Sequence, residues 1–216
     1  MTDVARTPTR RDEYAQATRE AIIAAARRLF AERGYFATKV DDIAAAARVA
    51  PATVYAVTGG KRGLFAELVR RWSTDPLVEL TISTIESLTD PVEIVGEVAS
   101  VTRRMREEFG DVIRFALTTA PHDRGAAEQV EKATSVYRGA FLPIAEHLIQ
   151  LGALRPGMDT AGAVDVLWFY FGYASYFVLC EDNHWSYDRA EQWLADQAVN
   201  QLLSGAGHHA TPPGRP

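Results

Sequence analysis

Side chains able to do covalent or metal chemistry are few in this chain and poorly placed for it. One cysteine, Cys180, excludes an internal disulfide and a multi-cysteine metal site. The five histidines, His122, His147, His184, His208 and His209, do not fall at metal-ligand spacings with carboxylates on one helix, and the last two could hold a metal only loosely. No phosphate-binding loop, dinucleotide glycine motif or Gly-x-Ser-x-Gly elbow occurs. The apolar run before Cys180, with Glu181 beside it, predicts a thiol of raised pKa and a structural role. Enzyme chemistry, a cofactor and a metal are therefore not expected. The polar groups that do suit a ligand are Thr53, Tyr55, Lys61 and the helix start at Pro51, which fit phosphate oxygens and base edges.

The elements that must position those groups read as helices. Hydrophobic residues make up 47% of 216 and charged ones 24%, enough to bury a core and too apolar for a disordered chain. The net charge of -5 argues against a nucleic-acid partner, yet residues 1–72 hold 13 Lys/Arg against 8 Asp/Glu, while residues 73–216 hold 10 against 20. The N-terminal third can meet phosphates and the remainder repels them. Apolar residues recur at spacings of three and four with no sustained alternation, which predicts an all-α fold. No signal-peptide core is present at the N-terminus, and the longest apolar stretch, 166–180, is shorter than the roughly 20 residues of a membrane span, so it reads as a buried helix in a cytoplasmic protein.

The pattern predicts a helix over 19–33, capped by Thr18, ended by Gly34 and buried through Ile22, Ala26, Leu29 and Phe30. Short helices follow at 40–47 and 51–57, parted by Arg48, Val49 and Ala50, then one at 61–72 whose continuation Pro76 breaks or kinks. Asp90, Pro91 and Glu93 mark a start running to Phe109; 111–119 is a short helix stopped by Pro121; 126–151 is a long one kinked near Gly139 by Pro143. After a loop at 152–157, an apolar helix begins at Asp159 or Thr160 and ends near Cys180, and Ser186 caps a last helix to about Leu203. Residues 1–12 and 205–216 read as flexible tails.

Two short helices joined by a tight turn in a basic segment, packed on an amphipathic helix, form a helix-turn-helix whose second helix enters the major groove. Ile43, Ala44, Ala47, Val49 and Val54 supply its apolar contacts. The stretch AARRLFAERGYFATKVDDIAAAARVAPATVYAVTGGKRGLFAEL resembles the N-terminal domain of the TetR (tetracycline-repressor) family of bacterial transcriptional regulators, without a gap from about Thr18 to Leu68. The resemblance rests on F-x-x-x-G-Y, D-I-A-x-x-A, and T-V-Y with a lysine six residues on. It implies a domain at 13–60 that binds DNA and one at 61–204 that binds ligand and dimerises. It also implies that Tyr55 and Lys61 touch phosphates, that Pro51, Ala52 and Thr53 lie nearest the bases, and that Lys39 and Val40 lie at the backbone.

The segment departs from the family pattern at four positions. Arg48 stands at the turn glycine, Ala50 at the Ser/Thr cap, and Val57 and Thr58 replace an aromatic-containing pair. A non-Gly residue in a left-handed turn costs on the order of 1 kcal/mol, and a missing cap about the same. With no Arg, Asn or Gln on its second helix, readout leans on methyl contacts, shape and water. Arg6, Arg10 and Arg11 read either as an arm for the minor groove or as a solvated basic tail.

In the second half, Trp168, Gly172, Ser175 and Leu179 with Val164 form one strip, and Leu194, Ala198 and Leu202 with Ala190 another. Paired with their symmetry mates these would build the four-helix dimer interface that the resemblance implies. Met105, Phe109, Arg114, Phe115, Tyr137, Phe141, Phe169, Tyr173 and Tyr176 are the candidate lining of an apolar ligand cavity, or else packed core. Arg138 and Asp165 are further polar candidates. The expected partners are an operator in double-stranded DNA, a small hydrophobic or aromatic effector and a second copy of the chain. Ligand would act through the helix beginning at Lys61, in a repressor; the alternative is an all-helical small-molecule-binding protein or unrecognised enzyme with a vestigial helix-turn-helix.

Overall fold

The computed structural model describes residues 9–205, which are helical and without a strand; a lone antiparallel bridge pairs Leu154 with Leu203. Arg6, His208 and His209 lie outside the described residues. The chain divides into two compact units, the first comprising residues up to Ser73 together with Asp111–Ala133, the second Thr74–Gly110 and the residues from Thr134 on. This division differs from the expected boundary at 60/61.

In the first unit α1, Arg10–Arg33, starts earlier than the expected 19–33, because Thr9 and Asp12 close a capping box. The Thr9 backbone N–H donates to the Asp12 carboxylate at 2.9 Å and the Asp12 N–H to the Thr9 hydroxyl at 3.3 Å. The first of these bonds holds the Asp12 carboxyl below its usual range. Thr18, the expected cap, lies inside the helix, where its hydroxyl donates to the Tyr14 carbonyl. Residues 10–12 thus belong to a helix and not to a tail, and Arg10 and Arg11 form its first turn in place of an arm.

Helices α2, Val40–Ala47, and α3, Pro51–Thr58, match the expected pair, with α3 one residue longer. The turn between them places Arg48 at φ 58°, ψ 42°, the left-handed conformation expected there, and Ala50 caps α3 without any side-chain bond. Helix α4, Gly60–Ser73, completes the group. Ile22, Leu29 and Phe30 of α1, Ile43 and Ala44 of α2, Val54 of α3, and Leu64, Phe65 and Leu68 of α4 are all buried. Phe30, Tyr35, Phe65 and Phe115 meet with ring centroids 5.2–6.0 Å apart. Burying these apolar surfaces together is the reason α4 and the 111–133 segment group with α1–α3. An ionic network ties α1 to α4: Arg71 chelates Glu20 at 2.7 Å and also reaches Glu67, which accepts two bonds at 2.9 Å from Arg70.

The second unit opens with α5, Pro76–Ile85, a separate helix in which Asp75 accepts from the Leu77 N–H; Pro76 starts this helix and does not kink α4. Helix α6, Pro91–Thr119, is continuous where a break near Gly110 was expected, since Gly110 keeps ordinary helical backbone there. Its residues to Gly110 belong to this unit and the rest to the first. Pro121 sits in a 3-10 turn, Ala120–His122. The expected long helix is two, α7, Arg124–Gly139, and α8, Phe141–Gln150, because Pro143 lacks an N–H and crowds the carbonyl of Gly139. Asp159 caps α9, Thr160–Phe171, and Ser186 caps α11, Tyr187–Leu202.

Between them the expected single helix to Cys180 is interrupted at Gly172, where α10, Tyr173–Tyr176, begins and passes into a π-helical stretch, Phe177–Asp182. A Cβ at position 172 would stand 2.3 Å from the Trp168 carbonyl oxygen, so only glycine fits the break. The segment Thr160–Asp182 is long and apolar enough to cross a membrane by length and composition, but α8 and α11 pack against α9. Ile94, Val98, Leu148, Leu167, Phe171, Tyr176, Leu194 and Leu202 form the core.

Two outcomes follow for stability. Ala50→Ser supplies the missing cap and raises unfolding free energy by about 1 kcal/mol in urea titrations. The second concerns pH: Arg70 first, then Arg71, holds the Glu67 carboxyl at about 2, against an ordinary 4.5. The folded value lies below the unfolded one, so the stabilisation is complete above pH 4.5 and is lost as pH falls toward 2. Thermal melts of Glu67→Gln should show a lower Tm at neutral pH and a shallower acid limb over that window.

Candidate nucleic-acid interface and apolar cavities

The second helix of the helix-turn-helix presents its start to solvent. Pro51 and Ala52 are exposed, Thr53 is half-buried, and Tyr55 is 59% exposed, while Val54 is fully buried and holds the helix in place. Gly60 lies beneath the Tyr55 ring at φ +78°, and a Cβ there would come within 2.8 Å of it. Glycine at this position therefore sets where the tyrosine hydroxyl is carried.

Lys61 reaches back across the unit. Its Nζ donates to the carbonyls of Tyr35 at 2.8 Å and Thr38 at 3.2 Å and lies 4.3 Å from the Tyr35 ring centroid. Burial pushes its pKa down, with Asp123 opposing. Thr38 is buried, its hydroxyl 2.9 Å from the Gly34 carbonyl and 3.2 Å from that of Leu29. The α1–α2 connection is thus fixed from both sides. Lys39 is exposed at the start of α2 with its N–H on Asp42, and Val40 is half-buried. Val40, Tyr55 and Lys61 share one concavity of about 400 Å³ with Arg62, Phe36 and Asp123. These three expected contact residues are brought together, with Pro51, Ala52 and Thr53 on the adjoining turn of α3.

The candidate ligand residues do not share a single site. Met105, Tyr137 and Phe141 line a small cavity of about 30 Å³ with Val78, Thr81, Ile82, Val98 and Thr102. Phe169, which is 74% exposed, and Tyr173 instead line an open apolar concavity of about 700 Å³ with Trp168, Tyr170, Val178 and Trp193. Phe115 packs on Phe30 and Phe65 in the first unit, and Arg114 is exposed in that unit. Tyr176 is buried core, stacked on Tyr187, and Phe109 is buried and lines neither cavity. Period-3.6 spacing reports a buried face but not which neighbour covers it, so it groups core aromatics with lining ones. Arg138 and Asp165 pair with each other at the surface. Burial raises the Tyr173 hydroxyl to about 12 and also raises the half-buried Cys180 thiol.

The expected dimer strips need correction. Leu194, Ala198 and Leu202 are at most 1% exposed, because that stripe of α11 packs on α9 of its own subunit. Gly172 is buried as well. Trp168, Ser175, Leu179 and Leu194 line the large concavity together with its exposed members, Phe169, Val178 and Trp193. Among the described residues no group of three or more His, Cys, Asp or Glu side chains is placed to hold a metal.

One buried polar residue went unforeseen. Arg106 is 1% exposed, between Tyr137 and Tyr173 at 5.6 and 5.7 Å from their ring centroids. Its Nη2 donates to the Gly172 carbonyl at 2.9 Å; Nε and Nη1 have no partner. A signal was present: Arg106 falls on the stripe Val95, Ala99, Thr102, Phe109, Ile113, a charge at an apolar position.

Residues 22–68 match the model of "Bacterial regulatory proteins, tetR family". Over 162 residues, 71% of this chain and 75% of the other, the chain is 29% identical to an uncharacterized HTH-type transcriptional regulator, YdeS, of Bacillus subtilis (strain 168). Its fold is shared with SmeT, solved in complex with triclosan (TM-score 0.73, 20% identity, 93% and 100% of the two chains). It is shared also with the regulator FadR of Bacillus subtilis, solved with stearoyl-CoA (0.67, 18%, 83% and 97%). The helix-turn-helix is built on the residues that the tetR family model matches, and the fold of the chain is similar to that of the solved regulators along most of its length.

Proposed function

We propose that the protein is a cytoplasmic, dimeric repressor that binds a two-fold operator through α3 and is released by a small hydrophobic or aromatic effector. The observation that carries this reading is the exposed start of α3 beside the concavity shared by Val40, Tyr55 and Lys61. A helix N-terminus, a tyrosine hydroxyl and an ammonium there suit phosphate oxygens. Lys61 has a second role in this reading, since its bonds to Tyr35 and Thr38 hold the α1–α2 connection that supports the helix pair. Few bidentate base contacts are available, so shape and methyl contacts carry much of the specificity.

A second copy is proposed to cover the concavity that exposes Phe169, Val178 and Trp193, an apolar surface that water covers at a cost. Dimerisation sets two recognition helices about 34–36 Å apart on a two-fold site. Effector binding lowers operator affinity by favouring a state with other spacing. Helices α6 and α7 each contribute to both units, so a shift in either passes along a continuous helix, an addition to the route expected through α4. That SmeT was solved with triclosan, and FadR with stearoyl-CoA, whose acyl part is a long hydrocarbon chain, supports an effector with a hydrophobic part. The left-handed Arg48 and the uncapped Ala50 favour the other reading, a small-molecule-binding protein whose helix-turn-helix is vestigial.

Fluorescence anisotropy with duplexes from the DNA flanking the gene decides between them. Tight binding to one fragment, weakened about tenfold in Tyr55→Ala, is expected, and Lys61→Ala should lower the salt slope by about one. Weak binding indifferent to fragment and to both substitutions would sink the repressor reading. For the dimer, sedimentation velocity should show two protomers for the wild type and one for Trp193→Glu; an unchanged wild-type-like dimer in that variant would place the interface elsewhere.

A further inference from the structure

Two of the Arg106 donors, Nε and Nη1, lie inside the second unit with no hydrogen-bond partner, although the residue is 1% exposed. A guanidinium stays charged in a protein, so its burial without an anion is costly. The tyrosine faces on either side offset part of the charge. They accept no conventional bond from Nε or Nη1. Nη2 alone does the structural work, on the Gly172 carbonyl and, at 3.4 Å, on the Tyr137 hydroxyl. Capping α9 therefore explains one nitrogen of three.

The neighbourhood says what would use the other two. Tyr137, on which Arg106 lies, and Met105, its neighbour in the chain, line the small apolar cavity. The two threonines lining it donate their hydroxyls to carbonyls of their own helices, Thr81 to Leu77 and Thr102 to Val98. Arg106 does not itself line this apolar space but stands behind Tyr137, whose ring separates the two. At about 30 Å³ the cavity is closed down to the room of a single water. Helix α5 supplies Val78, Thr81 and Ile82 to its wall and buries only Thr81 and Ile85.

We propose that the effector site takes an apolar carboxylic acid, its carboxylate paired with Arg106 and its hydrocarbon part entering between α5 and α6. This rests on the ligand-responsive reading and narrows it to acids. Titration calorimetry at neutral pH with octanoate and with octanamide, a neutral probe of the same shape, tests it on the full chain. Wild type should bind octanoate at least about tenfold more tightly than octanamide, the margin expected of a charge-assisted bond. Arg106→Gln should lose that preference while still binding octanamide, and Arg106→Lys should keep part of it. Thermal melts of each variant confirm folding.

Equal binding of both probes by wild type and Arg106→Gln overturns the inference and leaves an apolar effector site standing. Binding of neither probe by the wild type overturns it and removes this cavity from the ligand-responsive reading as well.

Discussion

The hydrogen bond from Arg106 to the Gly172 carbonyl stands at the point where the most apolar helix of the chain stops, and the second unit is arranged around that stop. A helix end leaves carbonyls without intrahelical partners. Here Tyr137 takes the carbonyl of Phe171 at 2.5 Å and Arg106 that of Gly172, so the break is satisfied inside the core. A cation at a helix C-terminus also meets the negative end of its dipole. Because the chain turns at Gly172, Tyr173 faces the Arg106 cluster while Tyr176 enters the core and Val178 reaches solvent. An unbroken helix would have put these three residues on different neighbours.

The first unit solves a different problem with similar means. Its helix α3 has eight residues, and short helices are marginal without tertiary packing. Val54, fully buried, and the Lys61 bonds to the α1–α2 connection supply that support. The cost of the left-handed Arg48 and the absent Ala50 cap is small beside the burial of Ile43, Leu64, Phe65 and Phe30. Packing can overrule a poor turn sequence, and here it does.

These two arrangements place unlike chemistry in one chain. The start of α3 is exposed and uncharged beside the concavity that holds Lys61, while the second unit buries a cation, Arg106, among aromatic rings. Charge is segregated along the sequence as well: residues 1–72 are net basic and residues 73–216 net acidic, so a polyanion is attracted by the first and repelled by the second.

Local features were legible from residues alone. Asp159, Ser186 and Pro91 mark helix starts, Pro143 a break, and the spacing of Ile43, Ala44 and Val54 a helix pair, because caps, prolines and turns act within a few residues of themselves. Of the interface candidates, Val40, Tyr55 and Lys61 come from one continuous stretch of sequence and line one concavity in the fold. What lay beyond reach was set across distance. The Gly172 break could not be recognised without Arg106, 66 residues earlier in the chain, whereas the Thr9 cap of α1 is as local as the others, its partner Asp12 standing three residues on. The faces of α9 and α11 read as interface strips by periodicity, yet Leu194, Ala198 and Leu202 proved to be core. A helical period states that one side is covered, and only the packed structure decides whether the cover is the same chain, a ligand or another molecule.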